Sequence, residues 1–287
     1  MTIDELALEN RPRQFGLLER AADVLSQSPS VTHMSVRGSL AAGTADQMSD
    51  IDFVVGVHDA MFRQFVQVLD ALMVAELGAI LPGWRDTIVG KLGGLGYVYL
   101  VAAEEKLYQL DLYVAPASRV ADVQRRVNAR LLYAAPPDGE IAAMPEAPGE
   151  FIDSQMARQP SCSDLLVEIL VVAQMIRKRI MRGQHFIVYD ETHLLLNAAK
   201  NLVKEALAPA STYWGWYHLE EDVGVAPIGR ACLEDLAVLT ASPPMRSQDA
   251  LRDAMERIFD IVQRAAPETI ESFGPAIDAY RRYLELA

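Results

Sequence analysis

The chain has 287 residues, with 39 Asp or Glu against 26 Lys or Arg and a formal charge of −13 with neutral histidines. So acidic a chain opposes extended wrapping of DNA or RNA, whose phosphates need a positive face, and its 51% hydrophobic content excludes a mainly disordered chain. Two cysteines, Cys162 and Cys232, are too few for a disulfide-rich secreted scaffold or a cysteine-built zinc site.

The opening run MTIDELALENRPRQF is charged and has no long apolar stretch, so a secretory signal is not expected. Phe15, Leu18, Ala22 and Leu25 recur at helical spacing, predicting a helix over 15–25. Val31–Val36 reads as a short strand closed by a Gly38-Ser39 turn, and the polar run AAGTADQMS leads to a β-branched strand over Ile51–Val57. A second helix is expected from Ala60 to Glu76, followed by a glycine-bearing loop through Gly96. Tyr97–Ala102 and Leu107–Val114 then form an antiparallel pair joined at 103–106.

Four prolines and two glycines fall within residues 134–150. Proline cannot continue a hydrogen-bonded ladder, so this stretch reads as the connector between a mixed α/β unit over 1–133 and a second unit over 151–287, with a long surface loop inside one domain as the alternative. The second unit reads as a helical bundle. Ser161 and Asp164 have capping-box spacing ahead of the apolar stripe Leu165, Ile169, Val172, Ile176 and Ile180. Further helices are expected over His193–Leu207, Arg230–Leu239, Gln248–Ala265 and Ser272–Leu286. The longest apolar segment, LLVEILVVAQMI, is broken by Glu168 and is shorter than the roughly 20 residues that span a bilayer. A soluble cytoplasmic protein without a membrane partner is the expectation.

The chemistry-bearing run is Gly38-Ser39-Leu40-Ala41-Ala42-Gly43-Thr44-Ala45-Asp46-Gln47-Met48-Ser49-Asp50-Ile51-Asp52-Phe53. Strand side chains alternate, so Asp50 and Asp52 leave one face about 7 Å apart while Ile51 and Phe53 leave the apolar one. Two such carboxylates suit a hard cation, and magnesium completes its shell with substrate phosphates. Gly38 permits close approach of a phosphate, to which the Ser39 hydroxyl and neighbouring amides donate. Asp111, between apolar Leu110 and Leu112 in a later strand, is the candidate for a third ligand, or else a solvated strand residue.

The run GSLAAGTADQMSDIDF resembles the GS…DxD signature of the nucleotidyltransferase superfamily that includes DNA polymerase beta. Its arrangement is most similar to the antibiotic nucleotidyltransferases that modify aminoglycosides or lincosamides. The resemblance covers roughly residues 31–114. It implies an α+β architecture, with a nucleotidyltransferase-like mixed sheet domain followed by an all-helical acceptor-binding domain. It also implies that Gly38 and Ser39 meet nucleotide phosphates and that Asp50, Asp52 and Asp111 hold Mg²⁺. Arg37 departs from the family pattern, where an apolar or aromatic residue more often precedes the glycine.

On this reading a substrate hydroxyl attacks the α-phosphorus of ATP and pyrophosphate leaves. The hydroxyl proton falls to Asp111 or to Glu168, the lone acid within LLVEIL, for which packing or pairing with Arg177 or Lys178 is the structural alternative. Lys200 and Lys204, four apart on a helix, either approach the triphosphate together or form a solvated face. Arg182, Gln184 and His185 surround a glycine that ends a helix. The run Tyr213-Trp214-Gly215-Trp216-Tyr217-His218-Leu219-Glu220-Glu221-Asp222 suits a sugar ring or adenine beside ammonium groups, or else a structural cluster. The expected activity is transfer of AMP to a hydroxyl of a small cationic acceptor such as an aminoglycoside, in an antibiotic-resistance role, by a monomer or homodimer. A lincosamide or other metabolite, a protein acceptor and a non-enzymatic interaction protein are the alternatives.

Overall fold

The computed structural model describes residues 3–5, 13–86, 92–103, 105–135, 148–241 and 245–285. It divides into two compact units, Met1–Arg158 and Gln159–Ala287. Among the described residues, no single helix is long and apolar enough to cross a membrane.

The first unit opens with helix α1 (Phe15–Ser26), strand β1 (Val31–Val36), the short helix α2 (Gly38–Ala42) and strand β2 (Ile51–Val57). A 3₁₀ turn (Asp59–Met61) leads into α3 (Phe62–Leu72), which ends in a π-helical turn (Met73–Leu77). Strands β3 (Trp84–Arg85), β4 (Leu95–Ala103) and β5 (Lys106–Pro116) follow, then α4 (Ala117–Arg126), β6 (Arg130–Ala134) and α5 (Pro148–Ala157). The six strands form one sheet in the order β3-β4-β5-β2-β1-β6. β2 and β5 run parallel, and the other neighbouring pairs are antiparallel.

Period-two alternation sorts the side chains of β2 between the two faces of the sheet. Ile51, Phe53, Val55 and Val57 enter the main core, where they meet Leu18 and Leu25 of α1, Phe62, Phe65 and Leu69 of α3, and Phe151 and Ile152 of α5. Val54 enters a smaller cluster on the other face, with Tyr113 and Ala115 of β5 and Val120 and Val123 of α4. Phe62 and Phe151 meet edge to face, with ring centroids 6.2 Å apart.

α5 explains why the unit boundary differs from the sequence expectation. Residues 151–158 belong to the first unit rather than to a helical unit beginning at 151, because Phe151 and Ile152 are part of the main core. Arg85 also donates to the carbonyl oxygens of Gln155 and Arg158. Most of the expected 134–150 connector, residues 136–147, lies outside the described residues, as does Glu104 in the β4–β5 turn.

α4 and β6 have no counterpart in the sequence expectation. α4 buries only Val120 and Val123, too thin a stripe to stand out, and β6 is a sheet-edge strand with no buried position. Gly38-Ser39, read as a turn, begins α2 instead, and Gly43 closes that helix in the left-handed conformation.

The second unit is helical: α6 (Cys162–Met181), α7 (His185–Leu207), a 3₁₀ segment (Pro209–Trp214), α8 (Leu219–Val223), α9 (Pro227–Ala241), α10 (Gln248–Ala265), α11 (Pro267–Ser272) and α12 (Gly274–Glu285). α6 starts with a complete capping box between Ser161 and Asp164 and carries Lys178 and Arg179 in its last turn, facing the negative end of the helix dipole. Its middle is buried nearly all round, so it forms the axis on which α7 packs. The helix expected over 272–286 is divided at Phe273 into α11 and α12, and its last expected residue, Leu286, lies outside the described residues. Removing the cap hydroxyl in Ser161→Ala should lower the stability of the helical unit by about 1 kcal/mol, read as an earlier urea transition in far-ultraviolet circular dichroism.

Candidate active site

β1 ends at Val36, and the chain enters α2 through Arg37 and Gly38. Gly38 has φ +63°, and a Cβ there would lie 2.9 Å from Cγ of Asp52 and closer still to its Oδ2. Glycine therefore meets two demands at once: a left-handed backbone and close contact with a carboxylate. The Arg37 amide donates to the Asp52 carbonyl at 3.0 Å, fixing this turn to the start of β2.

Asp52 and Asp111 are register partners across the parallel β2–β5 pair. Neighbouring strands lie about 4.8 Å apart, so the two half-buried carboxylates leave the same face side by side. Gln109, two residues before Asp111 and on the same face, donates its Nε2–H to Asp111 Oδ1 at 2.7 Å. The Arg37 guanidinium reaches Asp52 Oδ1 at 3.2 Å. Asp86 follows β3, donates its amide to the Gly96 carbonyl at 3.0 Å and adds a third negative charge felt by both carboxylates.

Burial pushes the Asp52 carboxyl above its ordinary range, with Arg37 opposing and Asp86 reinforcing the shift. Asp111 is pushed up to about 7, chiefly by burial and next by the Asp52 charge. Gln109 and Arg37 oppose that shift, and Asp86 adds to it. The two carboxylates therefore share protons as a pair.

Sequence reasoning brought Gly38, Asp52 and Asp111 together, and the structure does the same. Asp50 differs. β2 begins at Ile51, so Asp50 lies ahead of the strand and outside the alternation expected to align it with Asp52. Ser39 sits half-buried in α2, where its carbonyl accepts from the Thr44 amide at 3.0 Å. Asp86 and Gln109 were missed. Period-two spacing from Asp111 identifies Gln109, whereas Asp86 follows a two-residue strand within a stretch that reads as loop.

The pair suits a hard divalent cation, because two crowded carboxylates of raised proton affinity gain by sharing a positive charge. Among the described residues, no three His, Cys, Asp or Glu side chains gather as a metal cage. Magnesium does not require such a cage, since one or two carboxylates with water and substrate phosphate suffice. A cavity of about 330 Å³ shares Asp86 with the cluster and is lined by Gly93, Gly94, Tyr113, Arg119 and Arg126 among others.

In the second unit, Glu168 is half-buried on α6. Lys200 and Lys204 share a face of α7, as their spacing predicts, but both are buried. Lys204 donates to the carbonyls of Ser211 at 3.1 Å and Tyr217 at 2.9 Å, and its ammonium lies 3.7 Å from Asp222 Oδ2. That ammonium clamps the 211–222 segment, which corrects its expected role at a triphosphate. Lys200 donates to Asn201 and lies 5.4 Å from the Trp216 ring centroid, while burial and then Lys204 lower its proton affinity. The Trp216 indole N–H donates to Asn197 Oδ1 at 2.6 Å. The aromatic run is thus anchored from beneath, with Tyr213, Trp214 and Tyr217 exposed. A groove of about 550 Å³ beside it carries Trp216, Leu219 and Leu233 with Glu220 and Glu234.

Two consequences are measurable. Folded Asp111 keeps its proton to about pH 7, whereas its ordinary pKa is 3.8. Between these values the folded state binds more protons than the unfolded state, so stability falls as pH rises through that window. Asp111→Asn should therefore melt about 5 °C above wild type at pH 8 and converge with it near pH 4. Lys204→Met, which leaves Asp222 and two carbonyls without their cation, should cost about 3 kcal/mol and shift the tryptophan fluorescence to the red. No protein-family model matches this chain, and no curated protein matches it in sequence.

Proposed function

We propose that the protein is a Mg²⁺-dependent nucleotidyltransferase that moves AMP from ATP to a hydroxyl of a small cationic acceptor, an aminoglycoside or a related amino sugar. The observation that carries this reading is the in-register pairing of Asp52 and Asp111 on adjacent parallel strands, with the Gly38 backbone pressed against Asp52. Phosphoryl and nucleotidyl transfer depend on positioning and charge neutralisation more than on covalent catalysis. A crowded carboxylate pair beside a close-approaching backbone suits that demand. The cytoplasm, where ATP is supplied, is the proposed location.

Asp52 and Asp111 would hold magnesium, which when bound supplies positive charge against the phosphate oxygens. Gly38, whose missing side chain leaves room for the Asp52 carboxylate, and Ser39, which offers a hydroxyl from the same short helix, are the groups proposed to face the phosphate. The acceptor oxygen forms a bond to the α-phosphorus as the bond from that phosphorus to the β-phosphate oxygen breaks. The acceptor gives up its proton and pyrophosphate leaves. Asp111 is the carboxylate of the first unit proposed to take that proton. A Glu168→Gln variant that keeps its transfer rate supports that assignment, and one that loses it while keeping its fold overturns it.

The acceptor class is supported by the acidic chain and by the groove where Trp216, Leu219 and Leu233 offer an apolar surface beside Glu220 and Glu234. Such a surface suits a sugar ring bearing ammonium groups. The test is incubation with α-labelled ATP, Mg²⁺ and separate panels of aminoglycosides, lincosamides and proteins. The expected result is pyrophosphate release with one AMP added to an aminoglycoside. Asp52→Asn should reduce that rate at least about 100-fold. Transfer to a lincosamide or a protein would move the acceptor class, and Asp52→Asn turnover at the wild-type rate would reject the mechanism.

A further inference from the structure

We propose that Arg37 is an exchangeable counter-ion of this site: it holds Asp52 while no cation is bound and turns to the nucleotide phosphates when a divalent cation takes the carboxylate. The inference rests on the nucleotidyltransferase reading and adds to it a regulation of cation binding.

Four observations support it. The contact is single and modest, one guanidinium nitrogen to Asp52 Oδ1 at 3.2 Å, whereas arginine holds a carboxylate most firmly through two parallel hydrogen bonds. The Arg37 Nε is buried and has no hydrogen-bond partner, so this guanidinium keeps unused donor capacity. The Arg37 backbone is fixed at both ends, its amide donating to the Asp52 carbonyl at 3.0 Å and its carbonyl accepting from the Ala41 amide at 3.4 Å. The side chain therefore moves from a stationary root beside Gly38, where phosphate is proposed to lie. Finally, Asp52 has Asp111 as its in-register neighbour across the β2–β5 pair, so the carboxylate that Arg37 holds stands next to a second one.

A divalent cation and this guanidinium compete for the same carboxylate oxygen. The cation carries twice the charge and draws on both aspartates, so it displaces the arginine. The freed guanidinium has planar, forked donors that match phosphate oxygens. Arg37 thus opposes binding of the bare cation and favours the cation arriving with a nucleotide.

The test compares wild type with Arg37→Met, which keeps the length of the side chain without its charge, and with Arg37→Lys. Mn²⁺ affinity is measured by electron paramagnetic resonance without nucleotide, MgATP affinity by calorimetry and folding by thermal melting. Arg37→Met should bind Mn²⁺ about 10-fold more tightly and MgATP about 10-fold more weakly. Arg37→Lys, which restores charge without the fork, should return Mn²⁺ affinity towards wild type while leaving MgATP binding weakened. A purely structural arginine would lower the melting temperature of Arg37→Met and move both affinities in the same direction. That outcome, or unchanged Mn²⁺ affinity in a folded variant, overturns the proposal while leaving the site reading intact. If Arg37→Met does not fold, Arg37→Lys with wild-type MgATP affinity overturns it. Wild-type protein that binds neither Mn²⁺ nor MgATP would overturn both readings.

Discussion

Like charges placed side by side and withdrawn from water repel one another, and the first unit is built around such a pair. Asp52 and Asp111 owe their adjacency to backbone register, because β2 and β5 run parallel and pair residue for residue from Ile51 with Leu110 to Val57 with Pro116. Moving either strand by one residue would turn its aspartate into the main core and expose Ile51 or Leu110. The alternation that buries Phe53 and Val55 therefore also determines where the carboxylates meet. Stability of the sheet and placement of the site are one constraint.

The same alternation explains which parts of the site were legible in the sequence. Asp52 lies between Ile51 and Phe53, and Asp111 between Leu110 and Leu112, so period two alone assigns each to the face opposite the core. Asp50 marks where that reasoning stops, because alternation holds only inside a strand and β2 starts one residue later. Gly38 was legible as a residue needing freedom, but the helix it opens was not, since five residues carry too little periodicity. Asp86 reaches the cluster through the pairing of β3 with β4, a long-range contact without a local signal.

The lysines of α7 show a different limit. Their four-residue spacing gives one helical face, as read, but spacing does not say what covers that face. The 211–222 segment folds back over it and places two of its carbonyls on the Lys204 ammonium. In the same way, α5 joined the wrong unit in the sequence reading because proline content marks where regular structure breaks, not which core the next helix enters. Burial by a distant segment is tertiary information, and it separates a phosphate-binding lysine from one that braces a loop.

The ionic clusters of the two units differ in how their charges are balanced. Asp235 receives both Arg257 and Arg264, and although burial pushes its carboxyl up, the two guanidinium groups bring it below the ordinary range. Lys204 likewise has two carbonyl oxygens and a carboxylate around one ammonium. Each of those charges is answered by the chain itself, and each braces secondary structure. At Asp52 and Asp111 proton affinity rises instead of falling: burial and the neighbouring carboxylates outweigh the Arg37 charge and, at Asp111, the Gln109 hydrogen bond. A carboxylate pair withdrawn from water is costly when both members are ionised, so it gains from a proton or from a cation. Raised proton affinity sets this pair apart from Asp235, and the divalent cation proposed for it has the charge and the oxygen-ligand chemistry that would lower the cost of holding the two carboxylates side by side.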